Sequence, residues 1–173
     1  MAASVAVSDL HLRLADRADL DRIVATYNAA IPSRLVTADL QPVTVESRVP
    51  WFLAHSPTRR PLWLLLERDD YRGWLSLQSF YGRPAYDGVA EVSLYLDPSA
   101  QGRGMGRWAL GTLVDRAPSY ALHTLLGFIF GHNLPSLVLF DKLGFSRWGH
   151  LPEVANMDGV MRDLIIVGKK LST

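Results

Sequence analysis

Cysteine is missing from the 173-residue chain. That excludes disulfides, thiolate metal sites and acyl intermediates held on a cysteine. An excess of one charge is missing too: 18 Lys and Arg against 17 Asp and Glu leave a formal net charge of +1. A general nucleic-acid binder would normally show a basic surplus, so no nucleic-acid partner is expected. Long hydrophobic runs are also lacking. The most apolar stretches, Leu62 to Leu66 and Leu125 to Gly131, fall far short of the ~20 residues of a membrane helix. The opening "MAASVAVSD" has neither the basic start nor the apolar core of a signal peptide. These absences predict a cytoplasmic protein with no membrane partner, and the length suits a single domain over 1–173. Histidines stand scattered at 11, 55, 123, 132 and 150, with only a loose His150-x-x-Glu153 between them, so no metal is expected. Neither G-x-S-x-G nor H-E-x-x-H occurs.

What is present reads as an α+β mixture. Leu10 to Leu14, "LHLRL", alternates as a short strand does. Asp16 and Asp19 offer caps for a helix reaching about Asn28, with Leu20, Ile23, Val24 and Tyr27 on one face. The segment "IPSRLVTADLQPVT" resists assignment. Thr44 to about His55 suits a second helix, kinked or started late by Pro50. Leu62 to Leu66 and Gly73 to Phe80 read as a hairpin, "YGRPAYDG" as a loop, and Val89 to Leu96, "VAEVSLYL", as a further strand. A helix from about Gly104 to Arg116, a strand from Thr124 to Phe130, a helix from Pro135 to Leu143 and strands at Phe145 to Gly149 and Val160 to Val167 complete the chain. The sum is a mixed sheet, antiparallel early, with a strand–helix–strand–helix unit in its second half.

The stretch "DPSAQGRGMGRWAL" carries the first functional signal. Gly102, Gly104 and Gly106 alternate with Arg103 and Met105, and Arg107 follows. A strand that ends, turns through glycines and opens a helix presents unpaired N–H groups and the positive helix end to one point, an anion site. A glycine-rich turn without a ligand is the plain alternative. No Gly-Lys-Ser/Thr follows the glycines, so a P-loop does not fit. A dinucleotide fingerprint would stand after the first strand, with an acid about twenty residues on; here the cluster is in mid-chain and "SYALHTLL" occupies that place.

Gln101-x-x-Gly104-x-Gly106 resembles the acetyl-CoA signature of the GCN5-related N-acetyltransferases (GNAT). "GHNLPSLVLFDKLGF" resembles that family's later Asn-x-x-Ser…Lys-x-Gly-Phe segment, here Asn133, Ser136, Lys142, Gly144 and Phe145. The start, "LRLADRADLDRIVATYNAAI", is similar to the branch containing the phosphinothricin acetyltransferases. The resemblance implies a central mixed sheet of about six to seven strands, splayed between the fourth and fifth and flanked by about four helices. It also implies acetyl-CoA as co-substrate. Carried over by position, it assigns the pyrophosphate grip to Gln101, Gly102, Arg103, Gly104, Met105, Gly106 and Arg107. It assigns main-chain contacts with the pantetheine arm to Leu94 and Leu96, and support of the arm to Asn133 and Ser136. A homodimer formed through the C-terminal half is implied as well.

Acetyl transfer to an amine needs a base, because only the unprotonated amine has a lone pair to attack with. Glu91 shares one face of its strand with Ser93 and Tyr95, opposite an apolar face of Val92, Leu94 and Leu96. The resemblance makes Glu91 that base; a partnered structural charge is the alternative. Many family members carry Tyr, and this branch often His, where this chain has Phe140, which cannot protonate a departing thiolate. On the acceptor side, Arg83 resembles an arginine that binds a substrate carboxylate, Arg34 lies where the family shapes its acceptor pocket, and Tyr27 lies nearby. A plain surface role for Arg83 and a core role for Tyr27 compete with these. The function expected is N-acetylation of a small-molecule primary amine, an amino acid or analogue of the phosphinothricin or methionine sulfone type. An acyl-CoA binder with impaired chemistry and a protein or peptide acetyltransferase are the alternatives.

Overall fold

In the computed structural model, which describes residues 9–172, β1 (Leu10–Leu14) leads into a turn where Asp16 and Asp19 form a reciprocal capping box. Helix α1 (Leu20–Ala30) follows. Its buried Leu20, Ile23 and Val24 sit at the helical spacing read from the sequence. Helix α2 (Val45–Leu53) begins at a Thr44 cap whose side chain accepts from the Ser47 N–H. It therefore starts before Pro50 and runs through it, and Pro50 has no N–H for the Glu46 carbonyl.

Strands β2 (Leu62–Glu67) and β3 (Asp70–Ser79) pair as a hairpin. Its turn is tighter than "ERDDYRG" suggested, with Arg68 at φ 56. The unbroken apolar run of β2 is explained by burial on both faces. Leu62, Leu64 and Leu66 pack towards α1 and α2, while Trp63 and Leu65 join the core on the other side. β4 (Val89–Leu96), α3 (Met105–Arg116), β5 (Thr124–Phe130) and α4 (Leu134–Lys142) match the sequence reading closely.

The largest departure is at the end of the chain. β6 runs from Ser146 to Met157, and β7 from Val160 to Lys170. The sequence reading stopped the first of these at Gly149. Pro152 argues against a strand interior, but β6 is an edge strand with register shifts at 147/149 and 151/155 that accommodate it. The Asp158-Gly159 turn, with φ of 53 and 87, is the pair that a two-residue hairpin prefers.

The seven strands form one sheet in the order β1-β2-β3-β4-β5-β7-β6. All neighbours are antiparallel except β4 and β5. No helix among the described residues is long and apolar enough to cross a membrane.

Candidate active site

The parallel pairing of β4 with β5 covers only Val89 to Glu91 against Thr124 to Leu126. Beyond that point β5 stays with β7 and β4 stays with β3, so the two strands part and the sheet forks. Glu91 is the last paired residue of β4. The fork follows from the chain's own chemistry. β4 must turn into the glycine loop, while Gly127 on β5 leaves room for the Phe140 ring: a Cβ there would come within 2.8 Å of it.

Two cavities meet at this fork. The larger, about 450 Å³, lies in the gap between β4 and β5, with Leu94, Phe128, Asn133, Ser136 and Phe140 among its walls. The smaller, about 220 Å³, lies on the α1/α2 face and is walled by Ile23, Tyr27, Arg48, Trp51 and Trp74. Glu91, Ser93 and Tyr95 line both. Period-two alternation turns these three side chains to the α1/α2 side, while Val92 and Leu94 join the α3 core.

Glu91 is half-buried, and its burial pushes its carboxyl above the ordinary glutamate range. No ion pair or hydrogen bond among the described residues engages that carboxylate. A desolvated acid without a partner is the profile of a proton acceptor or a ligand site.

One wall of the larger cavity is a strap, residues 31–44, from which Leu35, Val36, Thr37 and Ala38 reach the opening. Several bonds hold it down. Asn133 Nδ2 donates to the Leu35 carbonyl at 3.0 Å, His132 Nε2 lies 2.8 Å from the Arg34 carbonyl, and Tyr95 donates to the Val36 carbonyl at 3.4 Å. The Tyr27 hydroxyl meets Thr37 and donates to Asp39. Burial, and then Asp39, raise the Tyr27 phenol above its ordinary value.

The glycine loop has the form of an anion cradle. Gly102 and Gly104 take φ of 71 and 81, and no protein atom lies within 4 Å of where a Cβ would stand on either. Gly104 caps α3 without a side-chain bond. No acceptor among the described residues engages the N–H groups from Gly102 to Arg107. Gly106 serves packing instead: its missing Cβ would lie 3.3 Å from Leu96, so α3 can sit close on β4. These features fit the diphosphate of a coenzyme A donor: open N–H groups, a helix N-terminus and a forked strand.

The candidates named from the sequence fall into three groups. Glu91, Leu94, Asn133 and Ser136 gather at the larger cavity, and Tyr27 at the smaller. Gln101 to Arg107 make up the glycine loop and the start of α3, and the Arg103 guanidinium pairs with Glu67 at 2.8 Å. Arg72 and then Arg103 hold the Glu67 carboxyl below its usual range, so Arg103 ties the loop to β2 and Arg107 supplies the cradle's exposed charge. Arg34 and Arg83 line neither cavity. Arg34 pairs with Asp158 at 2.7 Å, and Arg83 is exposed in the loop before β4. His150 bonds Asp163 at 2.7 Å.

Arg48 was not among the candidates. It reaches the smaller cavity from α2, its Nη2 2.7 Å from Asp39 and its guanidinium 4.5 Å above the Tyr27 ring. A signal existed. Arg48 is the lone cation in "VESRVPWFL", one helical turn from Trp51, which also lines that cavity.

The sequence model of the acetyltransferase (GNAT) domain matches residues 9–146. The chain is 48% identical over 162 residues to Bacillus subtilis YwnH, provisionally named a phosphinothricin acetyltransferase, with 93% of this chain and 99% of that one covered. An L-methionine sulfoximine/L-methionine sulfone acetyltransferase of Pseudomonas paraeruginosa is 32% identical, with 88% and 90% covered. The crystal structure of a Sinorhizobium meliloti phosphinothricin acetyltransferase in complex with acetyl-CoA superposes with a TM-score of 0.88. It is 27% identical, and 95% of this chain and 89% of that one are covered. The forked sheet, the open glycine loop and these matches agree: the chain belongs to the GNAT acetyltransferase family, whose acyl donor is acetyl-CoA.

Proposed function

We propose that this enzyme acetylates the primary amine of a compact amino acid or analogue, with Glu91 as the base. The observation that carries the reading is the position of Glu91 at the mouth of the fork, facing both cavities with no partner among the described residues. The donor supplies an acetyl thioester. The cradle N–H groups from Gly102 to Arg107 bind its diphosphate, and the backbone of Leu94 and Leu96, paired with β3 but left by β5, aligns the arm beside β4. Asn133 caps α4 through the Ser136 N–H at 3.2 Å and ties the strap to that wall, so it positions the arm and does not react. The amine enters from the smaller cavity. Glu91 accepts one proton of the ammonium directly or through one water, the amine nitrogen bonds to the acetyl carbon, and the carbon–sulfur bond breaks to release the thiolate while the nitrogen gives its second proton to solvent. The proton passes from Glu91 to solvent.

The size of the smaller cavity, about 220 Å³, and the bonded strap favour a small acceptor over a peptide. The relatives named for phosphinothricin and methionine sulfoximine support the same class. Thiol release from acetyl-CoA against phosphinothricin, methionine sulfone, common amino acids, polyamines and N-terminal peptides tests it. Rapid release with an amino-acid analogue is expected; release with peptides alone contradicts it.

One residue favours a second reading. Phe140 is buried in the wall of the larger cavity and donates no proton. An acyl-CoA binder with impaired turnover would fit that substitution. A thiolate whose thiol resembles cysteine, with a pKa of about 8.5, leaves without a positioned acid. Phe140→Tyr is therefore expected to change kcat by less than about fivefold; a gain of a hundredfold would favour the impaired reading.

A further inference from the structure

We infer that Arg48 binds an anionic group of the acceptor and so restricts this enzyme to amines that carry one. The inference rests on the proposed acetyl transfer and names its specificity-determining residue. The smaller cavity has two charged walls of opposite sign, Glu91 on β4 and Arg48 on α2. Between them the surface is apolar and aromatic, chiefly Ile23, Val24, Trp51 and Trp74. A compact molecule with an amine, an anion and a short apolar body satisfies all three.

The geometry of Arg48 is that of a fixed receptor. Asp39 holds Nη2 at 2.7 Å, and the Tyr27 ring supports the guanidinium at 4.5 Å. No acceptor among the described residues engages Nε or Nη1. One nitrogen is thus spent on orientation, and the others remain for a ligand. The Arg48 side chain is 26% exposed against 43% for Asp39, so the cation is the more enclosed partner and its remaining donors are the costlier to leave unmade. A guanidinium on an aromatic face beside a pocket suits a planar carboxylate or a phosphinate. Arg34 and Arg83 do not line the cavity, the first paired with Asp158 and the second exposed. The same cation repels a second ammonium, so polyamines are disfavoured.

The test is steady-state kinetics on wild type, Arg48→Gln and Arg48→Lys at saturating acetyl-CoA. The acceptors are methionine sulfone, its carboxamide, its decarboxylated amine, phosphinothricin and spermidine. Arg48→Gln is expected to raise KM for methionine sulfone about 30-fold or more, the worth of a charge-assisted bond, with kcat changed little and Arg48→Lys in between. The decarboxylated amine is expected to show a high KM that Arg48→Gln leaves unchanged. If KM for phosphinothricin responds to Arg48→Gln and KM for methionine sulfone does not, the anion read is the distal phosphinate; if both respond and KM for the methionine sulfone carboxamide does not, it is the α-carboxylate. An equal loss for charged and uncharged acceptors, or acetylation of spermidine in preference to the amino acids, would overturn the inference while leaving acetyl transfer intact. Thermal stabilisation by methionine sulfone gives a readout independent of turnover: the wild-type shift is expected to vanish in Arg48→Gln, and its persistence contradicts the role. Release of thiol with none of the amines would instead sink the function proposed above, and Arg48 with it.

Discussion

Glu91 carries a cost that its neighbours do not relieve. Burial raises its carboxyl above the unfolded value, and no cation or donor among the described residues offsets it. A raised folded value means that the folded protein favours the neutral acid. Stability is therefore full below the unfolded glutamate pKa, about 4.3, and is lost as the pH rises through the folded value. Glu91→Gln removes the ionisation and keeps the shape. Calorimetry should find its Tm above wild type by a few degrees at pH 7, with the gap closing as the pH falls towards about 4. A Gln variant less stable than wild type at pH 7 would mean that the carboxylate has a stabilising partner. Stability lost to keep a reactive group desolvated is common at active sites.

At the scale of elements, the glycine loop joins backbone conformation to binding. Gly104 sits at φ 81 with open space around it, so alanine there meets strain but no neighbour. Left-handed strain costs about 1–2 kcal/mol, which lowers Tm by about 2–4 °C for each kcal/mol at this chain length. Gly159, at φ 87 in the β6–β7 turn, is the matched control with equally open surroundings. Gly104→Ala and Gly159→Ala should lose similar stability. KM for acetyl-CoA should rise about tenfold or more only in the first, because only there does the added methyl stand where a diphosphate would approach.

Much of this element was legible beforehand. A strand, three alternating glycines and a helix are local, and local chemistry is read directly from spacing. The second half of β6 was not legible, because Pro152 argues against a strand interior, and only pairing with β7 across two register shifts makes one. The ion pair of the Arg103 side chain was not legible for a related reason: its partner Glu67 lies 36 residues away in sequence on β2. Arg48 escaped because its lone charge and its spacing from Trp51 do not say which face of α2 a cavity will meet.

At the scale of the whole molecule, the fork couples two halves that pack separately. One core gathers α1 and α2 against β2 and β3 around Leu20, Ile23, Leu64 and Trp74. The other gathers α3 and α4 against the opposite face around Leu75, Leu110 and Leu125. The larger cavity opens where β4 leaves β5, and the smaller opens beneath α1 and α2, so the two meet at β4. The strap closes the rim, with Arg34 pinned to the β6–β7 turn through Asp158. On the proposed reading, one side chain on β4 addresses both substrates and a side chain on α2 sets selectivity.

The measurement that tests this account most directly is the pH dependence of kcat/KM for the acceptor amine in wild type and in Glu91→Gln, followed by thiol release. The account predicts a wild-type acid limb governed by a carboxyl above the ordinary glutamate range. In the variant that limb should be gone and the rate should fall by about 10²–10⁴-fold, with KM for acetyl-CoA unchanged. A variant within threefold of wild type and with the same acid limb would place the proton acceptor elsewhere, and would contradict the role given to the fork.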